Sequence, residues 1–198
     1  MRIDQADVAD LAAAGVDPGR LVHLAAEFVR RHPLHEPSAP GVPLSGAEQR
    51  LLRAAGARGL DADRATLVAS EQRSLAVLAA EYAQLAVSAW DAARVEATLG
   101  VKSSRVRQRI AERSLHVLDT PAGRVFPAFQ FHAGGVVPGL AQVLRALGPD
   151  AHPVGIARFL LTPTEDLESD LVSGPVSPRS WLIAGLPVAA VVELTYRP

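Results

Sequence analysis

Between residues 102 and 113 this chain carries Lys102, Arg105, Arg107, Arg109 and Arg113, broken by a single acid, Glu112. The chemistry such a set offers is the binding of anions. A guanidinium presents parallel N–H groups in one plane, a fork that fits two phosphate oxygens or the O6/N7 edge of guanine. Ser103, Ser104 and Gln108 stand among the cations and add short polar groups of the kind that meet phosphates and base edges. Val106 and Ile110 lie four apart, so on a helix they share one face and leave the cations the remaining arc. A helix held by a narrow apolar seam, with arginines on its outer side, has the form needed to enter a major groove. The competing reading is a solvated helix whose arginines do no more than keep it soluble.

The elements that must position this helix are legible on both sides. Upstream, DAARVEATLG reads as a partner helix with Ala93, Val95, Ala97 and Leu99 available for its inner face. Gly100 stands where a chain leaving a helix needs a left-handed residue, and Ser103 or Ser104 is expected to cap the next helix. Downstream, residues 115–118 read as a short strand, residues 119–123 (DTPAG) as a turn, and residues 124–126 as the returning strand. The order LGVKSSRVRQRIAERSLHVL, then GRVFPAFQF, resembles the winged helix-turn-helix of the MerR and excisionase proteins. That resemblance implies a recognition helix in the major groove and a wing on the flanking backbone. The implied DNA-binding residues are Lys102, Ser103, Ser104, Arg105, Arg107, Gln108, Arg109, Arg113 and Arg124.

The N-terminal part reads as helical. Residues 4–14 and 18–31 form two helices, the second with an apolar stripe of Leu21, Leu24, Ala25, Phe28 and Val29. Residues 32–43 (HPLHEPSAPGVP) are too rich in proline for helix; their His32, His35 and Glu36 lack a further ligand and make a poor metal site. Residues 45–55 form a short helix that Ser45 and Glu48 close as a capping box. The longest helix spans residues 61–89, where Val68, Leu75 and Tyr82 recur every seven positions with Leu78 and Leu85 at the companion spacing. This row either packs on the N-terminal helices of its own chain or forms the seam of a homodimer, and the two can coexist.

After the wing, residues 127–131 (PAFQF) read as an aromatic plug and Gly134-Gly135 as a turn. Residues 138–147 form a helix with Pro138 in its first turn and Leu140, Val143, Leu144 and Leu147 buried. His152-Pro153 opens another helix, Ser177-Pro178 caps and starts a third around Trp181-Leu182, and Leu186-Pro187 restarts a last one with Val188, Val191, Val192 and Leu194 inward. The order FLLTPTEDL, then GPVSPRSWLIAGLPVAAVVEL, resembles the toxin-binding domain of the Xre/MbcA/ParS-like antitoxins. The resemblance implies an antitoxin whose C-terminal helices cover a cognate toxin, in this family typically a RES-domain enzyme that consumes NAD. The implied toxin-binding residues are Arg179, Trp181, Glu193, Thr195, Tyr196 and Arg197, with the extreme C-terminus reaching into the toxin. Alternatively, Tyr196 packs on its own domain.

Charge distribution agrees with two partners. The net charge of −1 argues against a non-specific nucleic-acid coat. Residues 94–124 nevertheless hold seven bases and three acids, and residues 148–198 hold three bases and six acids. No cysteine is present, which excludes a disulfide framework or a thiolate site. No apolar run reaches a membrane span and the start of the chain lacks the form of a signal peptide, so a cytoplasmic location is expected. No nucleophile elbow, P-loop or Rossmann glycine pattern occurs, so neither an enzyme nor a cofactor is expected. The expected fold is mainly α: a helical N-terminal region over 1–89, a winged helix-turn-helix with a small β-hairpin over 90–132, and a helical toxin-binding-like domain over 133–198. The expected function is an antitoxin that binds operator DNA as a homodimer and represses its own operon. The alternative is a winged-helix regulator with no toxin, controlled by a small effector or another protein.

Overall fold

A computed structural model describes residues 5–13, 16–31, 44–57, 64–120, 122–169 and 174–196. Residues 32–43, with His32, His35 and Glu36, fall outside these, as does Arg197. The fold is mainly α with small two-stranded hairpins.

The N-terminal frame comprises α1 (Gln5–Ala13), α2 (Pro18–Arg31), α3 (Gly46–Ala54) and α4 (Arg64–Val87). Asp17 starts α2 by accepting the Gly19 and Arg20 amides on its Oδ1, at 2.9 and 3.2 Å. The expected capping box at Ser45 and Glu48 is present on α3. Within the stripe of α2 only Leu24 and Phe28 are fully buried, and Val29 is exposed. The surface that α4 buries is built of alanine: Ala79, Ala83 and Ala86 are enclosed. Side chains this small let neighbouring elements approach the α4 backbone closely. The seven-residue row flanks that surface. Its Tyr82 and Leu85 pack into the core formed with α2, and the Tyr82 ring lies 5.0 Å from that of Phe28. This end of the row is therefore occupied within the chain.

Asp91 caps α5 (Ala92–Leu99), its Oδ1 accepting the Arg94 amide at 2.7 Å. Gly100 ends it in the left-handed region at φ 63. The Gly100 N–H donates to the Ala97 carbonyl and the Val101 N–H to that of Glu96, the paired closure of a Schellman turn. The next helix, α6 (Ser103–Ala111), corrects one expectation: its cap position is Lys102, with no side-chain hydrogen bond, and both serines lie inside the first turn. Val95 and Val106 are buried against each other's helices, with Leu99 and Ile110 beside them; Ala93 and Ala97 are exposed.

The hairpin is shorter than expected and starts later. Strand β1 (Leu118–Thr120) pairs antiparallel with β2 (Gly123–Val125), Thr120 facing Gly123. Leu115 is not in the strand because it is buried in the core of the helix-turn-helix, with Val95 and Val106. Leu118 and Val125, on the inner face of the hairpin, belong to a different core, with Leu24, Ala83 and Ala86. The hairpin is thus bound to the N-terminal frame.

Beyond it, β3 (Phe131–His132) pairs with β4 (Gly135–Val136), a second small hairpin not foreseen from the Gly134-Gly135 turn. Helix α7 (Leu140–Leu147) begins after Gly139, so Pro138 lies before its first turn rather than within it. Gly139 has φ 73, and a Cβ there would lie 2.7 Å from Val188 Cγ2, so only glycine fits. His152 caps α8 (Pro153–Leu161), Ser177 caps α9 (Pro178–Ile183), and α10 (Val188–Leu194) follows. Phe129, Leu140, Val143, Leu160, Trp181, Leu182 and Val191 form the C-terminal core. Arg158 of α8 grips Glu81 of α4 through two 2.8 Å hydrogen bonds, which hold the Glu81 carboxyl below its ordinary pKa. Among the described residues no helix is long and apolar enough to cross a membrane.

The Gly100→Ala variant has open space for its methyl, so its cost is conformational alone. It is expected to lower stability by about 1–2 kcal/mol, read as the midpoint of urea unfolding. An unchanged midpoint would contradict the left-handed closure.

Candidate nucleic-acid interface

Helix α6 turns its polar arc outward. Lys102, Ser103, Ser104, Arg105, Arg107, Gln108 and Arg113 are all exposed. Among the described residues no salt bridge involves any cation of this set. Arg105 donates from Nη1 to Gln108 Oε1 at 2.7 Å, and Gln108 donates in turn to Glu112 Oε1 at 2.6 Å. These are surface contacts of a kind water or phosphate readily replaces. Arg109 differs: it is half-buried, and its Nε is enclosed without a hydrogen-bond partner among the described residues. On the wing, Arg124 stands directly across from Asp119 and pairs with it at 3.1 Å. Both side chains are well exposed, and such pairs contribute roughly 0–1 kcal/mol.

Arg113 has φ 53 and is alone among the described non-glycine residues in the left-handed region. It closes α6 as Gly100 closes α5, its N–H donating to the Ile110 carbonyl and the Ser114 N–H to that of Arg109. The same turn is therefore made twice, once by the residue suited to it and once by an arginine that is strained there by about 1–2 kcal/mol. The turn leaves an exposed cation just beyond the end of the cationic helix.

The face is held from behind by polar contacts that the residue pattern did not reveal. Trp90 stacks on Phe131 at 4.2 Å with the rings 6° apart, and the Arg94 guanidinium lies 4.1 Å above the Trp90 ring. Trp90 and Phe126 exchange backbone hydrogen bonds of 2.8 Å each way. Gln130 is fully buried; its Oε1 accepts the His116 amide at 2.5 Å and its Nε2 donates to the His116 carbonyl at 2.8 Å. A lone amide inside the run PAFQF was the one available signal for it. Behind the wing, Arg31 and Tyr82 both donate to the Asp119 carbonyl, at 3.3 and 3.1 Å. Burial, and secondarily the charge of His152, lowers the pKa of His116.

Of the six residues assigned to toxin binding, the five that are described do not form one surface. Arg179 is turned into the fold, donating from Nε to the Phe129 carbonyl at 2.8 Å and from Nη2 to that of Phe131 at 2.6 Å. Trp181 is buried and donates to the Pro187 carbonyl at 2.9 Å. Thr195 is half-buried and bonded to Val192. Glu193 is exposed, and Tyr196 is 74% exposed rather than packed on its own domain. Among the described residues no group of three metal-ligating side chains converges.

No protein-family model and no curated protein matches the chain. Among solved structures, the chain is similar to the NMR structure of Rv2175c. The two are 30% identical, the match covers 55% of this chain and 81% of that one, and the TM-score is 0.41.

Two stability measurements test the support behind the interface. Gln130→Ala removes the partners of the His116 N–H and C=O, and a loss of about 2–4 kcal/mol is expected; a loss under about 0.5 kcal/mol would contradict that role. The folded pKa of His116 lies below its unfolded value near 6.5, so the unfolded chain takes up the proton first. Its contribution is complete above about pH 6.5 and declines as pH falls toward the folded pKa, by at most about 1.4 kcal/mol per pH unit. His116→Phe should flatten the acid limb of the stability profile; an identical limb would show that His116 does not contribute.

Proposed function

We propose that this chain is a sequence-reading DNA-binding regulator. Helix α6 lies in the major groove and the β1–β2 wing rests on the neighbouring backbone. One observation carries the reading: a run of exposed cations on and flanking α6, unpaired with carboxylates among the described residues, beside a hairpin whose second strand bears Arg124. Lys102, Arg107 and Arg113 supply charge to phosphates, while Arg105 and Gln108, already aligned along the helix, reach base edges. Arg109 works from the edge of this face because its stem is packed. Pairing of two copies completes the reading of a two-fold operator. The part of the α4 row left for that contact is Val68, Leu75 and Leu78, with Val77, which is 49% exposed.

Of the two regulator readings, the inward use of Arg179 and Trp181 favours the one without a toxin. An antitoxin role would rest on Glu193, Tyr196 and the end of the chain. Co-expression with a toxin enzyme separates the readings: a full chain that leaves the toxin active supports the regulator without a toxin, and neutralisation that survives deletion of residues from 193 onward removes any inhibitory role of the tail.

DNA binding is tested by selecting a duplex from a random pool and titrating it by fluorescence anisotropy at several salt concentrations. Arg105→Ala with Arg107→Ala should weaken binding at least a hundredfold and lower the slope of log K against log salt by roughly 0.9 per lost phosphate contact. Unchanged affinity in the folded double variant would refute the interface. Arg113→Gly provides an opposed pair of readouts. It should hold or raise stability, by up to about 1 kcal/mol, while weakening DNA binding; weaker stability with intact binding would contradict the account of the strained turn.

A further inference from the structure

A cavity of about 140 Å³ lies where α2, α4, the wing and the start of α8 meet. Its walls are apolar and aromatic. Phe28 lies at the centre of three rings, 5.0 Å from Tyr82 and 5.7 Å edge-to-face from His152, with Leu24 beside them. Into this lining projects the Glu27 carboxylate, whose side chain is 17% exposed. One of its oxygens, Oε1, is held by Arg31. The other, Oε2, is enclosed and has no hydrogen-bond partner among the described residues; the His23 Nε2, which pairs with it in charge only when protonated, stands 4.0 Å away, beyond hydrogen-bonding reach.

An enclosed acceptor without a donor is costly, and more so when it carries charge. The nearby donors are turned elsewhere: Tyr82 gives its hydroxyl proton to the Asp119 carbonyl, and Arg31 spans Glu27 and that same carbonyl. The cavity therefore lacks a donor at one defined point and is apolar around it. Its complement is a compact apolar body ending in a cationic N–H group. The π-faces beside the carboxylate favour the same charge, since ring faces attract ammonium groups. The volume suits one ring, as an apolar cavity near 150 Å³ accommodates benzene.

We propose that this cavity binds a small cyclic or aromatic primary amine, its ammonium on Glu27 Oε2 and its ring against Phe28. Asp119 belongs to the wing, while Leu24, Glu27 and Phe28 belong to α2. An occupant touches both and fastens the wing to the N-terminal frame. The site stands on this geometry alone; its regulatory consequence, altered operator affinity, rests on the DNA-binding reading.

The test uses the full chain, labelled with ¹⁵N, and three probes of one size: benzylamine, benzyl alcohol and benzoate. Benzylamine should shift the amides around Glu27, Phe28, Tyr82 and Asp119 saturably, bind at least tenfold tighter than benzyl alcohol, and raise the unfolding temperature. Benzoate should leave these amides unmoved. Glu27→Gln, checked for folding by circular dichroism, should lose at least tenfold in benzylamine affinity; Leu24→Phe, checked in the same way, adds a ring to the lining one helical turn from Glu27 and should also block it. Absence of saturable shifts, or equal binding of amine, alcohol and acid, would overturn the proposal. Saturable amine binding by a chain that retains no selected duplex would leave the site standing and remove only its link to DNA.

Discussion

The structure depends on the way residues 126–131 are pinned between two cores. Phe126 and Phe131 enter the core of the helix-turn-helix, while Phe129 enters the C-terminal core. A segment that alternates between two interiors fixes their relative position only if its backbone cannot slip. Three contacts prevent slipping: the Trp90–Phe126 bridge, the Gln130 side chain spanning both backbone groups of His116, and the Arg179 fork on the Phe129 and Phe131 carbonyls. Each satisfies polar groups that packing would otherwise strand, so apolar burial and hydrogen bonding favour the same register.

From that fixed segment the presentation of the charged helix follows. The α5–α6 pair is small, with Val95 and Val106 at its centre, and would be marginal alone. It gains rigidity from Phe126 and Phe131 beneath it and from the wing, which is anchored to α2 and α4 by Leu118, Val125 and the Asp119 carbonyl. In the DNA-binding reading proposed above, this rigidity has a functional meaning: arginines that read base edges start from a defined backbone, because ordering the helix at the moment of binding would subtract from affinity. The strained Arg113 fits the same logic, since the fold tolerates an unfavourable residue where a cation is presented.

Much of this was legible in the residues, and what was not has physical reasons. Helix existence, the Gly100 closure, the Ser45 and Ser177 caps and the apolar lines of α7 and α10 follow from local rules that tertiary packing did not override. The cap of α6 was misplaced by one or two residues, because serine suits both a cap and a first turn. Leu115 read as strand because its apolar neighbours alternate, although its side chain was needed in another core. The seven-residue row on α4 packs on α2 at its Tyr82 and Leu85 end, but the fully buried residues of that helix are alanines, which a pattern of large apolar residues does not single out. Arg179 shows the limit most clearly: an arginine near a helix start reads as surface, and only the fold brings two carbonyls from some fifty positions away within its reach. The exposure of Lys102, Arg105, Arg107 and Arg113 was legible from the narrow Val106–Ile110 seam, whereas the half-burial of Arg109 was not.

The most direct test of the central claim is a residue-resolved map of the contact surface. A ¹⁵N-labelled chain titrated with a selected duplex should show its largest amide perturbations at residues 102–109, 113 and 123–124. The amides of α8 and α10 should remain in place. Perturbations centred on α8 and α10, or none on α6 at saturating duplex, would contradict the claim that α6 is the reading element.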